Sequence, residues 1–91
     1  MSVKAWMDKE GIFKKEVGGA LTEVGRCYGM LVPYVVDVTQ DVYGGAVDIT
    51  DVFYTEESID GDYIEIDGVL YMVMRKSDWG WVVEYRIKRI G

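Results

Sequence analysis

Side chains able to serve as general bases, nucleophiles or metal ligands at neutral pH are few in this sequence. The chain contains no histidine, which removes the commonest general base and metal ligand. Cys27 is its single cysteine, and a nucleophilic cysteine needs a neighbouring base or positive charge to lower the pKa of its thiol. Without a histidine partner, we expect Cys27 to be a small buried hydrophobic side chain that forms no disulfide within the chain.

The carboxylates are numerous but do not have the spacing of a metal site. Asp60, Asp62 and Asp67 do not match the calcium-binding loop of an EF-hand. Other aspartates fall where strands and turns would face solvent: Asp37, Asp41, Asp48 and Asp51. The sequence therefore predicts no metal, no cofactor and no catalytic residue, and we expect that the protein is not an enzyme.

The last third of the chain has the clearest β-strand pattern. Tyr63–Ile66 and Val69–Arg75 are rich in aromatic and β-branched residues, and between them stands Asp67-Gly68, a pair that favours a two-residue type I′ turn. That turn predicts two cross-strand pairs, Ile66 with Val69 and Ile64 with Tyr71. A third strand is predicted after a connection from Lys76 to Gly80. Pairing Arg75 with Trp81 would place Val73 opposite Val83, Tyr71 opposite Tyr85 and Val69 opposite Ile87.

The middle of the chain predicts a hairpin. A strand that contains Pro33 must either run along a sheet edge or begin near this residue. Val36, Val38 and Val42 then alternate with polar residues. Gly44-Gly45 supplies a turn before a strand from Ala46 to about Tyr54. A β-bulge near Thr50-Asp51 would bring four apolar side chains onto one face: Val47, Ile49, Val52 and Tyr54.

The first 29 residues allow two interpretations. Apolar side chains recur at helical spacing, which favours a broken helix that Ser2 could cap; they are Phe13, Val17, Ala20, Leu21 and Val24. Gly18-Gly19 could instead be the turn of a hairpin within residues 12–26, and each glycine costs a helix about 1 kcal/mol relative to alanine. We favour the helical interpretation for residues 1–29.

Length and composition complete the predicted architecture. The chain has 91 residues, of which 49% are hydrophobic and 13% aromatic, which suits one β-rich domain spanning residues 1–91. We predict a mainly β fold: a small, partly open barrel or sandwich of about five antiparallel strands in residues 30–91. The N-terminal helical segment would pack across one opening.

Charge and hydropathy restrict the possible partners. The net charge of -6 disfavours general binding to nucleic acid, which depends on phosphate neutralisation. The sequence has neither a signal-peptide pattern nor an apolar run of about 18 residues. We therefore expect synthesis in the cytoplasm and no membrane partner.

Two surface features suggest contacts with other proteins. Leu70, Met72 and Met74, with Tyr63 beside them, form an apolar stripe on the reverse of the meander, which either the N-terminal helix or a neighbouring subunit would cover. Trp79, at a loop tip, is either an interface anchor or folded back over the barrel edge, whereas alternation predicts Trp81 in the core. Arg86 and Lys88 alternate with apolar residues on the last strand and would meet solvent or a neighbour's acidic side chains. The candidate interface residues are Tyr63, Leu70, Met72, Met74, Trp79, Arg86 and Lys88.

One pattern of residues extends over the C-terminal two thirds of the chain, from Val36 to Gly91: Gly61-Asp62, Ile66-Asp67-Gly68, Val69, Tyr71, Val73, Asp78, Gly80 and Arg89, with Gly44-Gly45-Ala46-Val47 upstream. In this pattern the chain resembles small head-tail joining proteins of tailed bacteriophages. The resemblance implies a structural protein without catalysis. It would form a homo-oligomeric ring, commonly six-fold, in the virion at the head-tail junction.

The partners implied by this resemblance are the phage portal or adaptor and the tail proteins. DNA would pass through the ring without sequence-specific binding, and acidic surfaces suit such a channel because they do not retain DNA. An alternative from the residues alone is a small acidic inhibitor or adaptor that docks a host protein or mimics DNA. The scattering of the acidic residues, without a long acidic run, disfavours this alternative.

Overall fold

A computed structural model describes residues 7–34 and 49–91. This part of the chain forms six antiparallel β-strands: β1 (Lys9–Val17), β2 (Ala20–Pro33), β3 (Asp51–Thr55), β4 (Tyr63–Ile66), β5 (Val69–Asp78) and β6 (Val83–Arg89). They close into a barrel in the order β1-β2-β3-β6-β5-β4. The mainly β class predicted from the sequence is confirmed, but the barrel is closed rather than partly open, and it has six strands rather than five.

The predicted N-terminal helix is wrong for the described residues, since β1 and β2 form a hairpin there. Gly18 and Gly19 have φ angles of 59° and 83°, a left-handed backbone that suits the two central residues of a hairpin turn and interrupts a helix. Spacings of three and four residues misled the prediction, because Phe13 is buried while Val17 and Leu21 are exposed. The alternative hairpin interpretation was the correct one.

The N-terminal hairpin is also what closes the barrel. Residues Gly11–Lys14 of β1 pair with the whole of β4, and Gly29–Pro33 of β2 pair with the whole of β3. Of the first 29 residues, those from Lys9 onward therefore supply strands of the barrel wall in place of a helix across an opening. The strand predicted over 36–42, the Gly44-Gly45 turn and residues 46–48 lie outside the described residues.

The turn at Asp67-Gly68 is confirmed. Asp67 and Gly68 have φ angles of 53° and 77°, as a type I′ turn requires at both positions. The pairs across it are Ile66 with Val69 and Ile64 with Tyr71, as the two-residue loop predicts.

The register predicted between β5 and β6 is wrong, because β5 continues through its polar end to Asp78. Val73 lies opposite Ile87 instead of Val83, with a β-bulge between Val73 and Arg75. The connection is correspondingly short: the Trp79 amide donates to the Val82 carbonyl at 2.9 Å. The apolar face expected of the three strands is nevertheless formed, since its predicted members Ile64, Ile66, Tyr71, Val73, Val83 and Tyr85 all pack in or against the core.

Aromatic rings fill the barrel interior. The rings of Phe13 and Tyr85 meet edge to face with centroids 5.0 Å apart, and Phe53 lies 6.3 Å from Phe13. Phe53 fits because two glycines face it: a Cβ at Gly11 would lie 2.9 Å from its ring, and one at Gly29 would lie 2.5 Å from it. Within residues 7–34 and 49–91, no helix is long and apolar enough to cross a bilayer.

Candidate interaction surface

Part of the N-terminal hairpin extends beyond the barrel wall. In the described residues, β4 pairs with β1 only as far as Lys14, and β3 pairs with β2 only from Gly29 onward. Residues 15–28, called the arm below, therefore form a two-stranded ribbon. Its large apolar side chains are exposed, namely Val17, Leu21, Val24 and Tyr28, whereas Cys27 at its base is buried.

The segment 56–62 joins the arm to the end of the barrel. The buried Tyr85 hydroxyl accepts a hydrogen bond from the Ile59 amide at 2.9 Å and lies 3.2 Å from the Glu57 carbonyl. Lys15 of the arm forms an ion pair with Asp60 at 3.0 Å. Burial raises the pKa of the Tyr85 phenol, so the hydroxyl keeps its proton and can donate to a carbonyl while accepting from the amide.

A cleft of about 580 Å³ lies where β2 separates from β3, and we call it the β2 cleft. It is lined by Met7, Arg26, Cys27, Tyr28, Thr55, Glu56 and Glu57. The side chain of Cys27 is buried, with its Sγ 3.3 Å from Thr55 Oγ1, and burial raises the pKa of the thiol. A protonated, buried thiol is a poor nucleophile, whereas Glu56 and Glu57 are exposed and place negative charge beside the cleft.

An apolar groove of about 520 Å³ adjoins the β2 cleft on the outside of the barrel, and Met7 lines both. This Trp groove is lined by Met7, Met30, Tyr54, Trp79, Trp81 and Val82. The side chains of Trp79 and Trp81 remain 61% and 73% exposed. Large apolar side chains exposed together are typical of protein interfaces.

Glu84 fixes one tryptophan of the groove. The Trp79 indole donates from Nε1 to Glu84 Oε1 at 3.2 Å, and Arg86 Nε donates to Glu84 Oε2 at 2.8 Å. Both carboxylate oxygens of this buried residue are thus bonded, as a buried charge requires. The carboxylate thus ties the Trp79 indole to β6 while the residue stays largely exposed.

The outer side of β5 and β6 carries positive charge next to methionines. Arg75 lies opposite Arg86, and Met72 lies opposite Lys88. Met74 occupies the β-bulge and is 41% exposed. We call these five residues the basic wall. Two guanidinium-bearing residues directly across a ladder repel each other, and the ion pair of Arg86 with Glu84 relieves only one of them.

The structure divides the predicted interface residues between these surfaces. Met72, Met74, Arg86 and Lys88 share the basic wall, and Tyr63 lies next to Met72 on β4. Leu70 is half-buried, and its backbone pairs with the C-terminal Ile90 and Gly91. Trp79 belongs to the Trp groove, where it both folds back over the barrel edge and stays exposed.

Sequence reasoning missed part of the Trp groove. Trp81 was predicted in the core by alternation, and this is wrong because it precedes β6 instead of belonging to it. No interface role was predicted for Met30 of this groove or for Tyr28 of the β2 cleft, and Tyr54 was predicted only as part of the apolar face of its strand. The pattern that could have identified them is the alternation of side chains along β2 and β3. It was not recognised in β2 because the first 29 residues were interpreted as helical and because Pro33 disfavours a central strand.

The described residues contain no group of three or more side chains able to hold a metal ion. The geometry offers instead two contiguous depressions, one acidic and one apolar, and a basic wall that adjoins the apolar one at Glu84. Comparison of the chain with protein-family models, with curated proteins and with solved structures gives no match.

Proposed function

We propose that this protein is a structural component of a tailed-phage neck, joining head to tail as a homo-oligomeric ring around the DNA path. The observation behind the proposal is the exposed Trp groove, in which two tryptophans stand open on a barrel whose own core is complete. Tryptophan is among the residues most enriched at interface hot spots. A surface of this kind suits a protein that works by binding other proteins.

The barrel itself is no channel, because Phe13, Phe53 and Tyr85 fill it. DNA in the proposed assembly would pass through the centre of the ring. The net charge of -6 supports this function, since an acidic lining lets a polyanion slide without being retained.

The experiment is to measure the mass of the purified chain over a range of concentrations and to image it by negative-stain electron microscopy. We expect closed rings, and the same protein in purified virions. A chain that is strictly monomeric at high concentration and absent from particles would overturn the proposal.

A small acidic inhibitor that mimics DNA is the alternative, and the ion pairs disfavour it. Several carboxylates have a cationic partner within the chain: Lys9 with Asp67, Lys14 with Glu65, Lys15 with Asp60, and Arg26 with Glu23. A phosphate mimic needs rows of uncompensated charge. A monomer that inhibits a nucleic-acid enzyme in a direct assay would favour this alternative.

A further inference from the structure

We infer that adjacent copies of this chain bind head to tail: the β2 cleft and Trp groove of one copy receive the basic wall of the next. This inference rests on the proposed ring and names its subunit contact. It starts from the order of the strands, in which β2 and β5 are three places apart in a closed barrel of six. The glutamates beside the β2 cleft and Arg75 of the basic wall therefore lie on opposite sides of the barrel, although the Trp groove adjoins the basic wall at Glu84. One chain cannot bring its own cleft and its own Arg75 together.

The charges of the two surfaces are complementary. Glu56 and Glu57 are exposed beside the β2 cleft, while Arg75 is exposed on the basic wall and Lys88 is partly exposed there. Within residues 7–34 and 49–91, none of these four side chains forms an ion pair. Bringing Arg75 to a neighbour's glutamates would relieve its repulsion with Arg86 and add a charge-assisted hydrogen bond.

The apolar parts of the two surfaces also correspond. The β-bulge between Val73 and Arg75 presents Met74 outward beside Met72, and the Trp groove offers two exposed indole rings. Methionine is flexible and makes favourable sulfur–aromatic contacts. The same wall thus supplies the apolar group for the groove and the cation for the cleft.

The symmetry of such a contact is testable. When two copies bind through two different surfaces, the resulting dimer still has one free surface of each kind. Further copies can therefore be added until a ring closes. A contact between two copies of one surface would stop at a dimer. Blocking one surface in one variant and the other surface in a second variant separates these cases.

The test uses two charge-reversed chains, Glu56→Lys/Glu57→Lys and Arg75→Glu/Lys88→Glu. Each changes exposed or partly exposed side chains outside the core, and thermal melting of both checks that they fold. We expect each variant alone to lose assembly, with an apparent dissociation constant raised at least about tenfold. Mixed, the two should assemble again in alternation, because the intact cleft of one variant meets the intact wall of the other and their two reversed surfaces are complementary in charge.

Sedimentation of wild type, variants and mixture gives the result. Wild-type rings that persist unchanged in both variants would overturn this contact and leave the proposed function intact. A mixture that stays monomeric would also overturn it. A wild type that never assembles counts against the ring itself and so against the contact.

A disulfide trap provides a second measurement if a reversed chain fails to fold. In the Glu57→Cys/Arg75→Cys variant, mild oxidation should give a ladder of dimers, trimers and larger species on a non-reducing gel. Glu57→Cys alone is the matched control and should give no ladder beyond a dimer. A double variant that stays monomeric under conditions where wild type forms rings would contradict the contact.

Discussion

β1 and β2 contribute both to the closed barrel, called the wall below, and to the arm, yet the apolar residues of the two regions differ in burial. Where each strand has a neighbour on both sides, at Gly11–Phe13 of β1 and at Gly29 of β2, the inward residues are buried. A few positions further on each has one neighbour, and Val17 is 60% exposed.

The difference shows that burial here depends on the number of strand neighbours more than on residue type. Valine and leucine occur in the arm as they do in the wall, but only in the wall do they find a second layer of side chains to pack against. We interpret the wall as the part that stabilises the fold and the arm, with the depressions beside it, as the part left for partners.

Phe53→Ala should break the wall and have the largest effect. Phe53 is fully buried, and truncating a buried phenylalanine costs about 3–5 kcal/mol, a large share of a total stability of about 5–15 kcal/mol. Urea unfolding followed by circular dichroism measures this. Tyr28→Ala in the arm is the control and should change the free energy of unfolding by less than about 0.5 kcal/mol; equal losses in both variants would remove the distinction between wall and arm.

Gly29→Ala should have the next largest effect on stability. The new methyl group would meet the Phe53 ring at 2.5 Å and the backbone carbonyl of Tyr54, and overpacking of this kind costs about 1–3 kcal/mol. Gly25→Ala is its counterpart in the arm, where the methyl meets only the flexible side chain of Ile59 at 3.1 Å. Thermal melting should rank Gly29→Ala well below Gly25→Ala, and the reverse order would contradict the role assigned to Gly29.

Tyr85→Phe should test the junction of wall and arm. It keeps the buried ring and removes the hydrogen bonds to segment 56–62, so we expect a loss of about 1 kcal/mol. Hydrogen exchange should speed up at the Ile59 amide, whose acceptor is lost, more than at Phe53. Unchanged exchange at Ile59 would show that the hydroxyl does not hold the segment.

The same variant should alter the alkaline limit of stability. Burial raises the pKa of Tyr85 in the folded chain, so its contribution is complete below the ordinary tyrosine pKa of about 10. That contribution is lost as the pH rises through this value toward the folded one. Stability measured from pH 8 to 11 should fall less steeply for Tyr85→Phe than for wild type. Part of the fall should remain, because burial also raises the pKa of Tyr54 and Tyr71.

Trp81→Ala should have the smallest effect on stability. It tests whether a residue assigned to partner binding can be removed without destabilising the wall. The Trp81 side chain is 73% exposed, so we expect a change below about 0.5 kcal/mol. Assembly should weaken in the same sample, measured by sedimentation. A large loss of stability would place Trp81 with the wall instead.

The sequence predicts local features of this fold better than the number of strands around the barrel. The Asp67-Gly68 turn and its pairs follow from two residues and alternation, and both are confirmed. The register of β5 with β6 could not be predicted in this way, because a polar segment such as Lys76–Asp78 can form a strand or a loop. Which of the two it forms depends on whether a partner strand pairs with it. The same holds for the first hairpin, whose apolar spacing suits either structure until β4 is present to pair with β1.

The candidate site was predictable only in part. Trp79 stood out because tryptophan at a loop tip is costly to leave in water, and Arg86 and Lys88 stood out by alternation. The Trp groove contains residues from β2, β3 and the connection after β5. Because these segments are distant in sequence, no local sequence pattern predicts the groove.

Closure of the barrel through β1 and β4 has a consequence for how fast the protein folds. The pair Gly11 and Ile66 joins positions far apart along the chain, and contacts of long sequence separation slow folding because the loop entropy is lost before they form. The hairpins β1–β2 and β4–β5 can each form locally, but neither has a complete core alone. We therefore expect their mutual docking to be the late event in folding, and mutations along this seam to slow folding less than they accelerate unfolding.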